Sequence, residues 1–186
     1  MSENTGYSSG APCVPAVAER VRASFSRQGL MKTLGAELVD LGQGLCVVEV
    51  PFSEKITQQD RYFHGAVIGA IADTASGYAA MTLASPDREV LTVEYKVNFL
   101  TPAQGAKLVA RGEVVTAGRR LFVCRADVSA VGDDVEEVCA TTLQTVSLAP
   151  VRTEEGSRTL PGFAGGGDPG GSRDARRPAA PGTTGA

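Results

Sequence analysis

Apolar residues along this chain recur in two rhythms, one suited to a helix buried on all sides and one to strands with a single buried face. Residues 63–83, FHGAVIGAIADTASGYAAMTL, carry Asp73 as their one formal charge in a run of Ala, Gly, Ile, Val, Met and Leu. Alanines outnumber β-branched residues, which favours helix, and apolar side chains occur on nearly every helical face, which places that helix in an interior. Gly69 and Gly77 each cost about 1 kcal/mol relative to alanine but let other backbones come close. Downstream the period changes to two. In EVLTVEYKVNFL (89–100), Leu91, Val93, Tyr95, Val97 and Phe99 alternate with Thr92, Glu94, Lys96 and Asn98, the pattern of a half-buried strand. Turn signals at 85–87, 101–105, Gly118 and 132–134 then separate three further strands at 106–117, 119–131 and 135–149.

Before the long helix, residues 15–28 place Val17, Val21 and Phe25 at helical spacing among Glu19, Arg20, Arg22 and Arg27, with Gly29 as a stop signal. Two extended runs follow, 30–42 and 44–52, joined at Gly42-Gln43-Gly44 as an antiparallel hairpin. The sum is an α+β chain: helix, hairpin, one long helix, four antiparallel strands. A curved antiparallel sheet wrapped around one long central helix satisfies it. Residues 1–14, rich in Ser, Gly and Pro, are expected to be disordered, as is the Gly/Pro/Arg-rich tail 151–186, leaving a folded domain at 15–150.

Composition narrows the chemistry. A length of 186 residues suits one domain with an unaided core, and a net charge of −3 offers no footprint for nucleic acid. The four cysteines form no CxxC pair and there is a single histidine, so no metal site is expected. The cysteines read as reduced thiols filling strands in a cytoplasmic protein, and the N-terminal segment lacks signal-peptide character. Asp73 and three glycines interrupt the most apolar helix, so no membrane span is expected. Neither GxSxG nor a completed phosphate loop occurs, and the lone His64 leaves no Ser-His-Asp triad to build.

HGAVIGAIADTASGYA (64–79) and YKVNFLTPA (95–103), in this order of elements, resemble the hotdog-fold acyl-CoA thioesterases of the phenylacetate-degradation type. They are also similar to the human-type thioesterase superfamily members and the bacterial 4-hydroxybenzoyl-CoA thioesterases. The resemblance covers about residues 30–148, and its most specific part is His64-Gly65 followed by Asp73 in an Ala-Asp-Thr-Ala setting. It implies that the Gly65 amide polarises the thioester carbonyl and that Asp73 is general base or nucleophile. Gln58 stands where the family often has Asn or Gln, and Thr92 where it has Ser or Thr in the following strand. His64 joins Asp73, Gly65, Gln58 and Thr92 as a catalytic candidate, with capping the helix or holding the preceding loop as its competing role. Ala66, which replaces the second glycine of a common HGG, would line the substrate site with Ser76 and Gly77. Some aromatic-acyl members have Thr at the position of Gly77. Arg61, Arg119 and Arg120 are candidates for the phosphates of coenzyme A. No cofactor is implied beyond the coenzyme A of the substrate.

Physical chemistry supports this division of labour. A helix N-terminus offers free amides and partial positive charge to an oxyanion, and a carboxylate set among apolar side chains is a stronger base for water. The eight residues from Gly65 to Asp73 rise about 12 Å along a helix. Both groups must lie within a few Å of one carbonyl carbon, so one copy of the helix cannot supply both. A shared site between two subunits follows, hence a homo-oligomer, with a dimer of dimers as the family's habit. The competing readings are a non-catalytic acyl-CoA-binding module and a hotdog dehydratase acting on hydroxyacyl thioesters.

Overall fold

The structure is a computed structural model that describes residues 11–132 and 135–151. Its order of elements is α1 (Pro15–Phe25), α2 (Gly29–Leu34), β1 (Glu37–Gly42), β2 (Leu45–Pro51), a 3-10 turn (Glu54–Ile56), α3 (Gly65–Leu83), β3 (Arg88–Phe99), β4 (Lys107–Ala117), β5 (Leu121–Val131) and β6 (Glu136–Pro150). All six strands form one antiparallel sheet in the order β1-β2-β4-β5-β6-β3. The sheet is open, with β1 and β3 as its edges, and α3 lies in its concave face. This is the hotdog arrangement that the sequence led one to expect.

Register shifts interrupt the pairings at Leu38/Asp40, Thr92/Glu94, Val114/Thr116 and Val128/Ser129. Each extra residue bends its strand and raises the local twist, which is how a sheet this long curls round a single helix. α3 packs on β2, β4 and β5 and reaches β3 and β6. Ile71, Ala72, Ala75, Ala79 and Ala80 are fully inaccessible, as are Val48, Val50, Leu108 and Val128 on the strands facing them. Gly112 of β4 lies directly against the α3 backbone: a Cβ there would stand 2.4 Å from the Ala75 carbonyl carbon. By length and composition α3 could cross a bilayer, but 72% of its most apolar stretch is buried inside this domain, so it is the core helix.

Both ends of α3 are tied. At the N-terminus, the Ala66 amide donates to His64 Nδ1 at 3.0 Å. At the C-terminus, Arg20 from α1 donates to the carbonyls of Met81, Ala84 and Ser85 at 2.8–2.9 Å, satisfying orphan acceptors and opposing the negative end of the helix dipole.

Four features depart from the sequence reading. Residues 30–34, expected at the start of an extended run, belong with Gly29 to α2. Leu30, Met31 and Leu34 also fit a helical spacing, Met31 and Leu34 are buried, and Gly35 ends the helix in the left-handed region at φ 65°. Gly29 therefore opens a helix rather than closing one. The four downstream strands do not lie side by side in chain order, because β3 pairs with β6 at the far edge. The expected disorder of 1–14 ends sooner, since Pro12 bridges Gly42 and the Gln43 amide donates to Ala11. Residues 1–10 and the tail from 152 lie outside the described residues, as do Asp133 and Asp134 of the expected 132–134 turn.

The fourth departure is on β3. Clean alternation would put Leu91, Val93, Tyr95, Val97 and Phe99 on one face. The bulge between Thr92 and Glu94 splits that face instead. Upstream of it Val90 packs on the core and Thr92 faces α3; downstream, Tyr95 and Phe99 lie against Gly69 and Gly65 of α3 and Val97 packs on the core. Leu91 and Val93 are left exposed.

Candidate active site

Asp73 sits midway along α3, half-buried, on the side of the helix that faces β3 and the N-terminal helices. The sequence led one to expect a carboxylate among apolar side chains. Its surroundings are polar: Oδ1 accepts from Thr92 Oγ1 at 2.6 Å and from Gln144 Nε2 at 2.7 Å. Gln144 Nε2 also donates to Thr92 Oγ1 at 3.1 Å, closing a ring of three hydrogen bonds. Thr92 reaches the helix because of the bulge beside it, and Gln144 because it occupies the inward-facing register of β6 with Ala140, Thr142 and Val146.

The carboxylate lines a cleft of about 700 Å³ between α1–α2, α3 and the start of β3. Ala66, Ala70 and Gly77 form its floor along α3, and an added Cβ at Gly77 would meet nothing within 4 Å. Gly77 thus leaves room one turn beyond the acid. Tyr78 borders the cleft, its hydroxyl receiving a bond from Gln28 at 2.9 Å and giving one to Ser24 at 3.3 Å. Burial pushes the Tyr78 phenol above its ordinary range, so it remains neutral.

Gly65 and Gln58 belong to a different hollow. As the first residue of α3, Gly65 carries an amide with no acceptor inside its own helix. It lines a recess of about 430 Å³ with Gln58, Tyr62, Ile68 and Phe99. A Cβ at Gly65 would approach Phe99 Cζ to 3.0 Å, so the glycine also admits the ring. Gln58 Oε1 accepts from the Asp60 amide at 2.5 Å and shapes the loop before α3. The oxyanion candidate and the acid candidate therefore open on separate hollows of one chain.

Other expected site residues lie elsewhere. Ser76 is fully buried on the sheet side of α3, near Gly112, and does not line the Asp73 cleft. α3 turns its Ser76 side to β4 and the line of Ala66, Ala70, Asp73 and Gly77 to the cleft, because at about 100° per residue Ser76 stands more than a quarter turn round the helix from Gly77. Arg61, at φ 67°, pairs with Glu54 at 2.9 Å in the loop before α3. Arg119 and Arg120 occupy the β4–β5 turn. None of these three borders the Asp73 cleft of its own chain; Arg20, Arg27 and Arg88 do. Gln144 was not singled out from sequence, although a glutamine in the inward phase of an apolar strand is a legible anomaly. Among the described residues no group of three or more His, Cys, Asp or Glu side chains is placed to hold a metal ion.

Comparison with known proteins gives this geometry its setting. Residues 61–137 match the thioesterase superfamily. A solved thioesterase family protein from Silicibacter pomeroyi is 40% identical, with a TM-score of 0.71 over 73% of this chain and 99% of that one. The 1,4-dihydroxy-2-naphthoyl-CoA hydrolase of Listeria monocytogenes is 27% identical over 124 residues, 67% of this chain and 98% of that protein. The E. coli PaaI protein of the phenylacetic acid degradation operon shares the fold at 19% identity, with a TM-score of 0.63 over 70% of this chain and 91% of its own. A helix-wrapping sheet, an acid held in mid-helix and a relative 40% identical along nearly its whole length lead to one assignment: the chain belongs to the thioesterase superfamily, as a hotdog-fold thioester hydrolase.

Proposed function

We propose that the protein hydrolyses an acyl-CoA, with an aromatic or short-to-medium acyl group, to the free acid and coenzyme A. Asp73 acts as base or nucleophile, and the Gly65 amide of a second subunit polarises the carbonyl. The observation that carries this reading is the Asp73 carboxylate, pinned through one oxygen by Thr92 and Gln144 at the wall of a cleft with empty space beyond Gly77. In the general-base form, a water oxygen bonds to the thioester carbon as its proton passes to Asp73. The carbonyl oxygen takes the negative charge against the Gly65 amide. Collapse of the tetrahedral adduct breaks the carbon–sulfur bond, and the departing thiolate takes up a proton.

The shape of β3 supports a site shared between two copies. It is a twelve-residue edge strand with Leu91, Val93, Tyr95 and Phe99 all more than 40% exposed, a surface that invites pairing with another strand. Along it, Thr92 stands beside Asp73, Tyr95 beside Gly69 and Phe99 beside Gly65. Antiparallel pairing of two β3 strands about their middle sets the Thr92 half of one opposite the Phe99 half of the other. The acid of each copy then meets the helix tip of its twin. Phosphates of coenzyme A would extend from there towards cationic side chains, with Arg61, Arg119 and Arg120 supplied across the interface and Arg88 and Arg27 at the cleft mouth. A dimer of dimers in the cytoplasm is the assembly and compartment we propose.

The test is release of free thiol from acetyl-, hexanoyl-, phenylacetyl- and hydroxybenzoyl-CoA. Asp73→Asn should keep the fold and lower kcat by about 10²–10⁴-fold, the usual loss for a catalytic base. Thiol release at the wild-type rate by that variant would remove Asp73 from the reaction; no release from any acyl-CoA by the wild type would favour a binding module. Gly65→Pro deletes the amide at a first-turn position whose backbone suits proline, provided that the Phe99 ring, 3.0 Å from a Cβ there, swings aside. Refolding Gly65→Pro together with Asp73→Asn should restore about a quarter of wild-type activity, since half the dimers are mixed and each mixed dimer holds one intact site. A site built within one chain would give no recovery.

A further inference from the structure

We propose that Gln144 is a positioning residue that fixes Asp73 and Thr92 in their working orientations. The inference rests on the role of Asp73 given above. Gln144 lies on β6, fully inaccessible, in a register that places Cys124 and Tyr95 opposite it on the neighbouring strands. Its amide nitrogen donates to Asp73 Oδ1 and to Thr92 Oγ1, and the single hydroxyl hydrogen of Thr92 goes to the same Oδ1. A carboxylate only accepts and an amide nitrogen only donates, so the direction of every bond in the ring is determined.

Two consequences follow from that accounting. Both bonds to the carboxylate end on Oδ1, and among the described residues none ends on Oδ2. Oδ2 is thus the oxygen left to act on water or on the thioester in the cleft. Thr92 spends its proton on Asp73, so it braces the acid and does not itself donate to substrate. Without the amide, Thr92 could rotate and the carboxylate could turn about its Cβ–Cγ bond.

Stability alone does not account for a glutamine here. Its Oε1 is buried with no hydrogen-bond partner among the described residues, a penalty that leucine or methionine of similar volume would avoid. The amide is retained against that cost for the bonds it makes to the acid.

The experiment uses the full chain, with phenylacetyl-CoA or whichever acyl-CoA of the panel is turned over fastest. Gln144→Leu should lower kcat by up to about 100-fold, as a slight misplacement of a reacting group does, with KM and the unfolding transition little changed. In an Asp73→Asn background the same substitution should cost less than about twofold, because the two residues act as a unit. Gln144→Glu sets a second carboxyl beside Asp73; the like charge favours protonation of the pair, so the acid limb of the kcat/KM profile should move up by about one pH unit or more. Wild-type kcat in Gln144→Leu, an equal loss in the Asp73→Asn background, or an unmoved acid limb in Gln144→Glu would each overturn the proposal. Should Gln144→Leu fail to fold, the limb of the near-isosteric Gln144→Glu decides. An inactive Asp73→Asn with an unimpaired Gln144→Leu removes only Gln144, whereas a fully active Asp73→Asn removes the Asp73 assignment beneath it.

Discussion

Adding one methyl group at Gly112 tests whether the contact between helix and sheet sets both the stability and the rate of this enzyme. An ideal Cβ at that position lies 2.4 Å from the Ala75 carbonyl carbon, 2.5 Å from its oxygen and 2.6 Å from the Ser76 amide nitrogen, where ordinary contact begins at 3.4 Å. All three neighbours are backbone, so no side chain can rotate away. α3 and β4 must part by about 1 Å, and overpacking of this kind costs about 1–3 kcal/mol. The upper end is expected, since a whole helix moves. The chemistry should suffer too. Asp73 rides on α3 while Thr92 and Gln144 are fixed to the sheet, so a lift of that size stretches bonds of 2.6 and 2.7 Å past hydrogen-bond range. A misplacement of about 1 Å can lower turnover by about 10²-fold. Urea unfolding and thiol release on Gly112→Ala measure the two effects separately. Gly77→Ala is the control of opposite sign: its Cβ meets nothing within 4 Å, and relief of a mid-helix glycine should raise stability by about 1 kcal/mol. Equal unfolding midpoints and equal kcat for Gly112→Ala and the wild type would refute the argument.

Three further outcomes are expected. At Gly77 a larger residue such as leucine should fill the cleft next to Asp73, raising KM for phenylacetyl-CoA more than for acetyl-CoA; an equal change for both substrates would show that the acyl group lies elsewhere. Burial pushes the Cys124 thiol up to about 12 and Cys139 up to about 11 from 9.0, and raises Cys46 further still. Unfolded thiols ionise near pH 9 and these later, so their contribution to stability is complete below about pH 9 and declines as pH rises through 11–12. Melting temperature against pH should show that alkaline decline, flatter in a Cys124→Ala, Cys139→Ala variant. The same burial should leave only Cys13, which is half-buried, open to alkylation at pH 8; rapid native labelling of a second thiol would contradict the packing.

Much of this architecture was legible because each element carries its own period. The all-round apolarity of 63–83 marks a core helix, and the alternation in the last four strands marks a sheet with one buried face. What a local pattern lacks is information on which strands become neighbours. β3 leaves the end of α3 and settles against β6, a choice made by the crossover and not by any residue of β3 itself. A helix of six residues such as α2 is also hard to see, because Leu30 and Leu34 fit either period until Gly35 is known to turn left-handed. Within the site, Asp73, Gly65 and Gly77 could be named from their helix alone. Gln144 stands out as a polar residue in the inward phase of β6, but its link to Asp73 and the place of the cleft arginines do not, since these arrive from elements remote in sequence, and Arg61, Arg119 and Arg120 were chosen for charge without knowledge of where their loops point.

The extra residue at Val93 has a consequence for any alteration of this strand. It acts as a phase shifter: on one side even-numbered positions look inward, on the other odd-numbered ones do. Excising Val93 alone would straighten the strand and keep Thr92, Tyr95, Val97 and Phe99 on the inner face. Losing the bulge with Val93 retained, or deleting one residue within either half, would instead rotate part of the strand by half a turn, presenting either Leu91 to the acid in place of Thr92, or Glu94 and Lys96 to the helix in place of aromatic rings. Deletion of Val93 should therefore be tolerated better than deletion of a residue within either half, and point changes at Val93 itself should be among the mildest on the strand.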